Sequence, residues 1–426
     1  MPSPVGSNWA GTHEYTARRL IAPQSLDELV EAVTSSRRIK ALGTRHSFND
    51  IADNDADLVT LVDLPAEPRI DRDRSTVSVA SGTRFGVLAK YLHENGYALH
   101  NLGSLPHISI AGACATGTHG SGDGNANLAS AVAALEMVDG RGQVLMVSRT
   151  DPDFGGMVIG LGALGIVTRM TLDIQPTYAM RQDVYLELPF ASYLDHFDEI
   201  SSAGYSVSVF TDWSGPTMKQ VWLKRRLGAD GALDEGDRFE DGLFGARPAG
   251  SKVMSPADEG HDNTTAQGGV PGPWSERLPH FRPDATPSNG NEIQTEYFVD
   301  RQHARGALQA VQGIAAQIAP HLLVSELRTV ARDSLWLSPT RDADCLAIHF
   351  TWKMHPVEVT TLLPVIEQVL ASFDPRPHWG KWFSMTALDL APKYPQMEHF
   401  RSLAETLDPQ RRFRNAYLQR AVGLEL

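Results

Sequence analysis

Two pairs of residues in the second half of the chain have types and spacing suited to chemistry. Glu326 and Arg328, and His349 and Thr351, each sit at i and i+2 beside stretches that are otherwise apolar, Leu322-Leu323-Val324 and Leu346-Ala347-Ile348. On a strand, side chains two apart leave the same face. A carboxylate, a guanidinium, an imidazole and a hydroxyl would then share one sheet surface, a mixture of donors and acceptors that fits a neutral, hydroxyl-bearing molecule. His378 and Lys381 add an imidazole and an ammonium, with Trp379 and Trp382 on either side of the lysine. A solvated outer face with ordinary ion pairs has the same pattern, so these residues alone leave both readings open.

The first half offers three glycine-bearing segments. Gly160-Leu161-Gly162-Ala163-Leu164-Gly165 is a literal G-x-G-x-x-G. A dinucleotide fingerprint follows a strand and opens a helix, so that the helix N-terminus meets the pyrophosphate. Here the glycines precede a strand-like alternation, Ile166 to Leu172, and the match reads as a decoy. Gly43-Thr44-Arg45-His46-Ser47-Phe48-Asn49 instead follows a strand and offers consecutive N–H groups with hydroxyls, the ingredients of an anion nest. Ser109, Gly112, Thr116, Gly117, Thr118, His119, Gly120 and Ser121 offer a second set. Glycine admits a ligand close to the backbone, and hydroxyls bond phosphate oxygens without net charge. Ordinary surface loops are built from the same residue types.

The elements that must hold these residues are legible in outline. Ser25 and Glu28 form a capping box before apolar Leu26, Leu29, Val30 and Val33, which predicts a helix ending near Ser35-Ser36. Ile39 to Leu42 then reads as a short strand running into Gly43. Thr76 to Ala80 alternates as a strand, and Thr83 is placed to cap a helix carrying Phe85, Leu88 and Leu92 and stopped by Gly96. Residues 101–125, small and glycine-rich, read as one long loop. Ala131 to Asp139 and Gln143 to Ser148 pair as a hairpin, and the alternation over Ile166 to Leu172 ends at Pro176, where a domain boundary is expected. Residues 226–292, rich in Gly, Pro and Asp, read as surface loops laid over a scaffold.

Composition bounds the function. The 426 residues exceed the ~250–300 at which one core stops growing, so two domains are expected. Lys and Arg number 38 against 51 Asp and Glu, a net charge of −13. Such a chain does not hold nucleic acid through its overall field, and any phosphate must be met locally by backbone N–H groups. Cys114 and Cys345 are too few for a disulfide scaffold or a cysteine zinc site; two buried thiols and no metal are expected. Met1 to Gly11 is polar and no long apolar run occurs, so a cytoplasmic protein away from membranes is expected.

Longer motifs carry a family resemblance. GTRHSFN at 43–49, NLGSLPHISIAGACATGTHGSG at 101–122, LGALGIVT at 161–168, FTDW at 210–213, VPGPWSERLPHFR at 270–282, SELRTV at 325–330, HFTW at 349–352 and RPHWGK at 376–381 are similar to alditol-oxidising members of the vanillyl-alcohol oxidase flavoprotein family. The resemblance spans nearly the whole chain and weakens only around residues 226–265. It implies an α+β, two-domain fold: an FAD-binding domain over 1–176, and a substrate-binding cap over 177–426 with a large antiparallel sheet, its extreme C-terminus able to pack back on the first domain. It also explains the reversed glycine run, since this fold has no Rossmann turn.

By that resemblance His46 is joined covalently to the flavin, with Ala41, Leu42, Gly43, Thr44, Arg45 and Ser47 beside it. Ser104, Ser109, Gly112, Thr116, Gly117, Thr118, His119, Val167 and His378 are further FAD contacts, and Gly103 lies near the flavin edge that oxygen approaches. Ser104, Glu326, Arg328, Thr351 and Lys381 bind the polyol. Lys381 and Arg328 are placed to stabilise developing alkoxide charge and His349 is a candidate proton acceptor; residue types leave that last assignment open. The implied reaction oxidises the C1 hydroxyl of alditols such as xylitol and sorbitol to the aldose and reduces O2 to H2O2, in a monomer. A lactone oxidoreductase of the same family and a flavin-binding protein without turnover are the alternatives, and Glu326 and Arg328 together favour the alditol reaction. One position departs from the family loop, which reads Gly-Ser-Gly-His-Ser: here Arg45 stands before His46.

Overall fold

The computed structural model describes residues 5–62, 64, 67–228, 230–233, 238–254, 262–285 and 291–426. Its first half is built on a five-stranded antiparallel sheet in the order Arg69–Asp71, Thr76–Ala80, Ile166–Asp173, Val132–Val138 and Val144–Ser148. Ile166–Asp173 alternates buried and half-buried residues along its whole length, the period-two pattern of a strand with one face on a core. Beside it a parallel three-stranded sheet, Arg19–Ile21, Asp57–Val59 and Ile39–Ala41, shares a small core with Val138 and Ile166.

The helix Leu26–Ser35 buries Leu29, Ala32 and Val33 against that core. Its Glu28 N–H donates to Ser25 Oγ at 3.2 Å, while the Glu28 carboxylate accepts from Gln24 N–H at 2.8 Å, one residue upstream of the usual return bond. The helix Phe85–Glu94 corrects one expectation: its N-cap is Arg84, not Thr83, and no side chain caps it. Tertiary carbonyls take over that role, since Phe85 N–H donates to Ile108 O at 3.0 Å and Gly86 N–H to Pro106 O at 2.7 Å. Residues 101–125 are not one loop either. They contain the helix Ile110–Ala115, six residues long and so too short to show a period, with Ile110, Ala113 and Cys114 buried.

A nine-stranded antiparallel sheet dominates the second half. Its main path runs Arg247–Pro248, Ala179–Pro189, Thr217–Leu227, Ser206–Thr211, Leu322–Val330, Cys345–Trp352, Ile293–Asp300 and Arg376–Pro377. Gly272–Pro273 also pairs with Ala179–Pro189. Within 226–292, therefore, Arg247–Pro248 and Gly272–Pro273 are tied to the sheet, and fully buried Trp274 anchors the segment. Part of that stretch lies outside the described residues.

The register sets the site. Glu296 pairs with His349, His349 with Glu326, and Glu326 with Phe210, one row across four strands. The next row aligns Gln294, Thr351 and Val324, and on the other side Phe298, Ala347, Arg328 and Ser208 align. The C-terminal residues return to the first half: Phe413 packs with Leu29, Val33 and Ile39, and Asn415 Nδ2 donates to the carbonyls of Asp50, Ile51 and Asp53 at 3.2, 3.0 and 2.7 Å. Cys114 and Cys345 are free and buried. Among the described residues no helix is long and apolar enough to cross a membrane.

Candidate active site

A long cleft runs from the Gly43–Phe48 loop and the Ser109–Thr118 segment to the polar face of the large sheet. At the loop end, Gly43 and Gly112 both abut Ser109: a Cβ on either would come within 2.6 and 2.8 Å of Ser109 Oγ. Glycine is what lets the two backbones close around that hydroxyl. Ser109 N–H donates to Thr44 Oγ1 at 3.1 Å, tying the segments together. Arg45 takes up the left-handed conformation, φ +63°, that the family's glycine would adopt freely. Its guanidinium donates to Val5 O at 2.6 Å and lies 5.5 Å from the Tyr15 ring, contacts that hold the strained residue in place.

His46 borders this end. Its ring stacks on Trp9 with centroids 5.4 Å apart, and both Nδ1 and Nε2 are buried without a hydrogen-bond partner. Burial pushes its pKa down to about 4, so the ring is neutral at physiological pH. Orphaned buried nitrogens call for an explanation. A neutral, nucleophilic imidazole on the wall of a glycine-lined cleft fits a large anionic cofactor such as FAD.

At the other end the sheet face is a buried charge network centred on Glu296. Its Oε2 lies 2.5 Å from Lys381 Nζ, and its Oε1 lies 2.8 Å from an Arg328 nitrogen and 3.2 Å from His119 Nε2. Burial alone would raise the Glu296 pKa, but Lys381, His119 and Arg328 outweigh it and hold the carboxyl well below the usual range. Lys381 also approaches His349 Nδ1 at 2.8 Å, and His349 Nε2 approaches Thr351 Oγ1 at 2.9 Å. Burial, reinforced by Lys381, lowers His349 to about 4. Burial likewise lowers Lys381, against the pull of Glu296. Arg328 Nε is buried without a hydrogen-bond partner, and another of its nitrogens reaches Ser104 Oγ at 3.4 Å.

The cleft brings together Ala41 to Ser47, Ser104, Ser109, Gly112, Thr116, Thr118, His119 and Val167 from the first half with Glu326, Arg328, His349, Thr351, His378 and Lys381 from the second. Gly117 is the exception. It turns at φ +67° with its Cα facing Pro339, outside the cleft lining. The G-x-G-x-x-G run, dismissed as a Rossmann turn, nonetheless lines the cleft through Gly160, Leu161, Gly162, Leu164 and Gly165. Lys40 Nζ holds this run by donating to Gly162 O at 3.0 Å. Polar lining residues to which the sequence reading gave no role include Glu296, Gln294 and His280. The first two share the i, i+2 spacing that exposed the other pairs.

Comparison with known proteins agrees with this geometry. Residues 17–148 match the family described as FAD binding domain, and residues 287–421 match that described as D-arabinono-1,4-lactone oxidase. The chain is 44% identical over 416 residues to the alditol oxidase of a Streptomyces species, covering 97% of this chain and 98% of that one. It is 28% identical over 438 residues to an L-gulono-1,4-lactone dehydrogenase of Mycobacterium tuberculosis, covering 99% of this chain and all of that one. Cholesterol oxidase from B. sterolicum shares the fold, with a TM-score of 0.77 at 13% identity over 98% of this chain and 96% of that one. The chain belongs to the vanillyl-alcohol oxidase family of FAD-dependent oxidoreductases.

Proposed function

We propose that this protein oxidises the terminal C1 hydroxyl of alditols such as xylitol and sorbitol to the aldose, with O2 reduced to H2O2, on an FAD attached covalently at His46. Residues 1–176 hold the cofactor and residues 177–426 form the substrate-binding cap. The observation that carries the reading is the set of Glu326, Arg328, Thr351 and Lys381 at the end of the cleft opposite His46, where Arg328 Nε makes no hydrogen bond and lies 3.6 Å from Glu326 Oε1. Likeness over nearly full length to an alditol oxidase supports it.

The FAD, when bound, supplies the electron acceptor and the reaction with oxygen. Gly43, Thr44, Ser47, Ser109, Gly112, Thr116 and Thr118 would hold it. The protein's own task is to bind a neutral polyol and manage one proton. Glu326 accepts hydrogen bonds from hydroxyl groups, Thr351 and Ser104 add hydroxyls, and permanently charged Arg328 faces the oxygen that loses its proton. Both His349 nitrogens are engaged, by Lys381 and by Thr351. We therefore place the accepted proton on Lys381 Nζ, whose ammonium form burial disfavours and whose product form Glu296 Oε2 stabilises. A panel of alditols and aldonolactones assayed by peroxide release tests the reading. Turnover of lactones in place of xylitol and sorbitol would overturn it.

A further inference from the structure

Behind the substrate face lies a second buried chain that the reaction above does not use. Lys224, on the strand Thr217–Leu227, is 1% exposed. Its Nζ has three partners: Leu278 O at 2.6 Å, Pro279 O at 3.1 Å and His280 Nδ1 at 3.0 Å. On its far side His280 Nε2 lies 2.7 Å from Glu326 Oε1. The same loop is pinned to the opposite wall, because Ser104 O accepts from both His280 N–H and Phe281 N–H, at 3.1 and 3.3 Å. His280 and Glu326 line the cleft; Lys224 does not.

Proton counting fixes the arrangement. Burial lowers Lys224 to about 7, but as ammonium or amine it has N–H protons to donate. The Glu326 carboxylate, held ionised by Arg328, has none, so His280 Nε2 at 2.7 Å must be the donor to it. His280 Nδ1 therefore carries a lone pair, and the single proton of the neutral ring sits on Nε2, directed at Glu326 Oε1. Burial, reinforced by Lys224, keeps that ring neutral by lowering His280 to about 4. Had Nε2 no proton, two lone pairs would meet at 2.7 Å. Arg328, with its Nε 3.6 Å from Oε1, and then the His280 N–H keep Glu326 ionised against its burial, which leaves the other oxygen to accept from a ligand.

We infer that Lys224 and His280 are positioning residues for substrate recognition: acting through Glu326, they keep an acceptor-only carboxylate facing the cleft, so that the site selects molecules offering a hydroxyl proton there. The inference rests on the polyol reading. It makes His280 a conduit of orientation that touches no reacting atom, and gives a buried lysine held only by neutral acceptors a role.

The test compares Lys224→Met, His280→Leu and His280→Gln in the holoenzyme. Loss of a charge-assisted hydrogen bond should raise KM for xylitol about tenfold or more in Lys224→Met and His280→Leu. Their kcat should change less than about threefold, and flavin content should match wild type. His280→Gln retains an N–H toward Glu326 and should restore most of the KM. Histidine 15N NMR, with the His280 signal assigned by its loss in His280→Gln, reads the tautomer without turnover: Nε2–H in wild type, displaced in Lys224→Met. An Nδ1–H tautomer in wild type overturns the inference, as does a wild-type KM in both Lys224→Met and His280→Leu. Equal loss of KM, kcat and flavin in His280→Leu and His280→Gln, a purely structural outcome, overturns it too. If wild type ignores xylitol, the polyol reading fails while the NMR result still decides the tautomer.

Discussion

Glu296 Oε2 lies 2.5 Å from Lys381 Nζ, and this contact joins the middle of one strand to a loop 85 residues further along the chain. Glu296 is fully buried and also meets Arg328 and His119, so it is a counter-charge shared by three groups of the substrate face. Without it Lys381 loses its ion-pair partner, and Arg328 keeps only Glu326, 3.6 Å from its Nε.

Glu296→Leu should therefore cost about 3–5 kcal/mol of unfolding free energy at neutral pH, measured by urea denaturation. The carboxyl is held well below its usual range, so its contribution is fully present above the unfolded glutamate pKa of about 4.3 and is lost as pH falls toward the folded value. The gap between wild type and Glu296→Leu should accordingly narrow in acid. A gap independent of pH down to unfolding would mean that the ion pairs contribute little.

Lys381 as proton acceptor makes a directional claim about rate. Because the active form is the free amine, kcat should rise with pH to a plateau, with its inflection below the ordinary lysine value of about 10.4. Lys381→Arg keeps the positive charge but cannot give up its proton, and should lose at least ~100-fold in kcat with flavin content unchanged. A rate that falls with rising pH, or substantial rescue by arginine, would instead make Lys381 a charge stabiliser.

How much of this was visible beforehand depended on where burial is decided. Strand alternation exposed Glu326 with Arg328 and His349 with Thr351, because their apolar neighbours marked them as out of place. Gln294 and Glu296 have the same spacing, but Glu292 and Thr295 around them make the segment look solvated. Their burial comes from strands distant in sequence. Lys224 was hidden likewise: followed by Arg225 and Arg226 it reads as a basic surface run, yet the 278–280 loop covers it. The Arg84 cap was illegible because the groups that replace it are carbonyls of Pro106 and Ile108, which no side-chain pattern announces.

Covalent attachment at His46 is checked by acid precipitation of the purified protein, which should leave the yellow colour in the pellet. Colour wholly in the supernatant would mean no linkage. His46→Ala should then hold flavin weakly and release it. Arg45 already occupies the left-handed region that glycine favours, so Arg45→Gly should leave attachment intact. Arg45→Val, β-branched at φ +63°, should impair it.

Gly103 bears on oxygen. It lines the cleft next to Ser104, and it is not among the residues with positive φ, so its backbone does not demand glycine. A Cβ there would meet His119 O and Ile108 Cδ1 at 3.7 Å and Thr118 Cγ2 at 3.8 Å, ordinary contacts that an alanine would make without strain. What glycine provides at this position is space on the cleft side. Gly103→Ala should fold and bind flavin as wild type does, and Gly103→Val should slow reoxidation by dissolved oxygen while leaving anaerobic reduction by xylitol close to normal. Stopped-flow mixing of the xylitol-reduced protein with aerated buffer separates the two half-reactions. Wild-type flavin that stays reduced until an artificial acceptor is added would make this protein a dehydrogenase, and an unchanged reoxidation rate in Gly103→Val would remove Gly103 from the oxygen path.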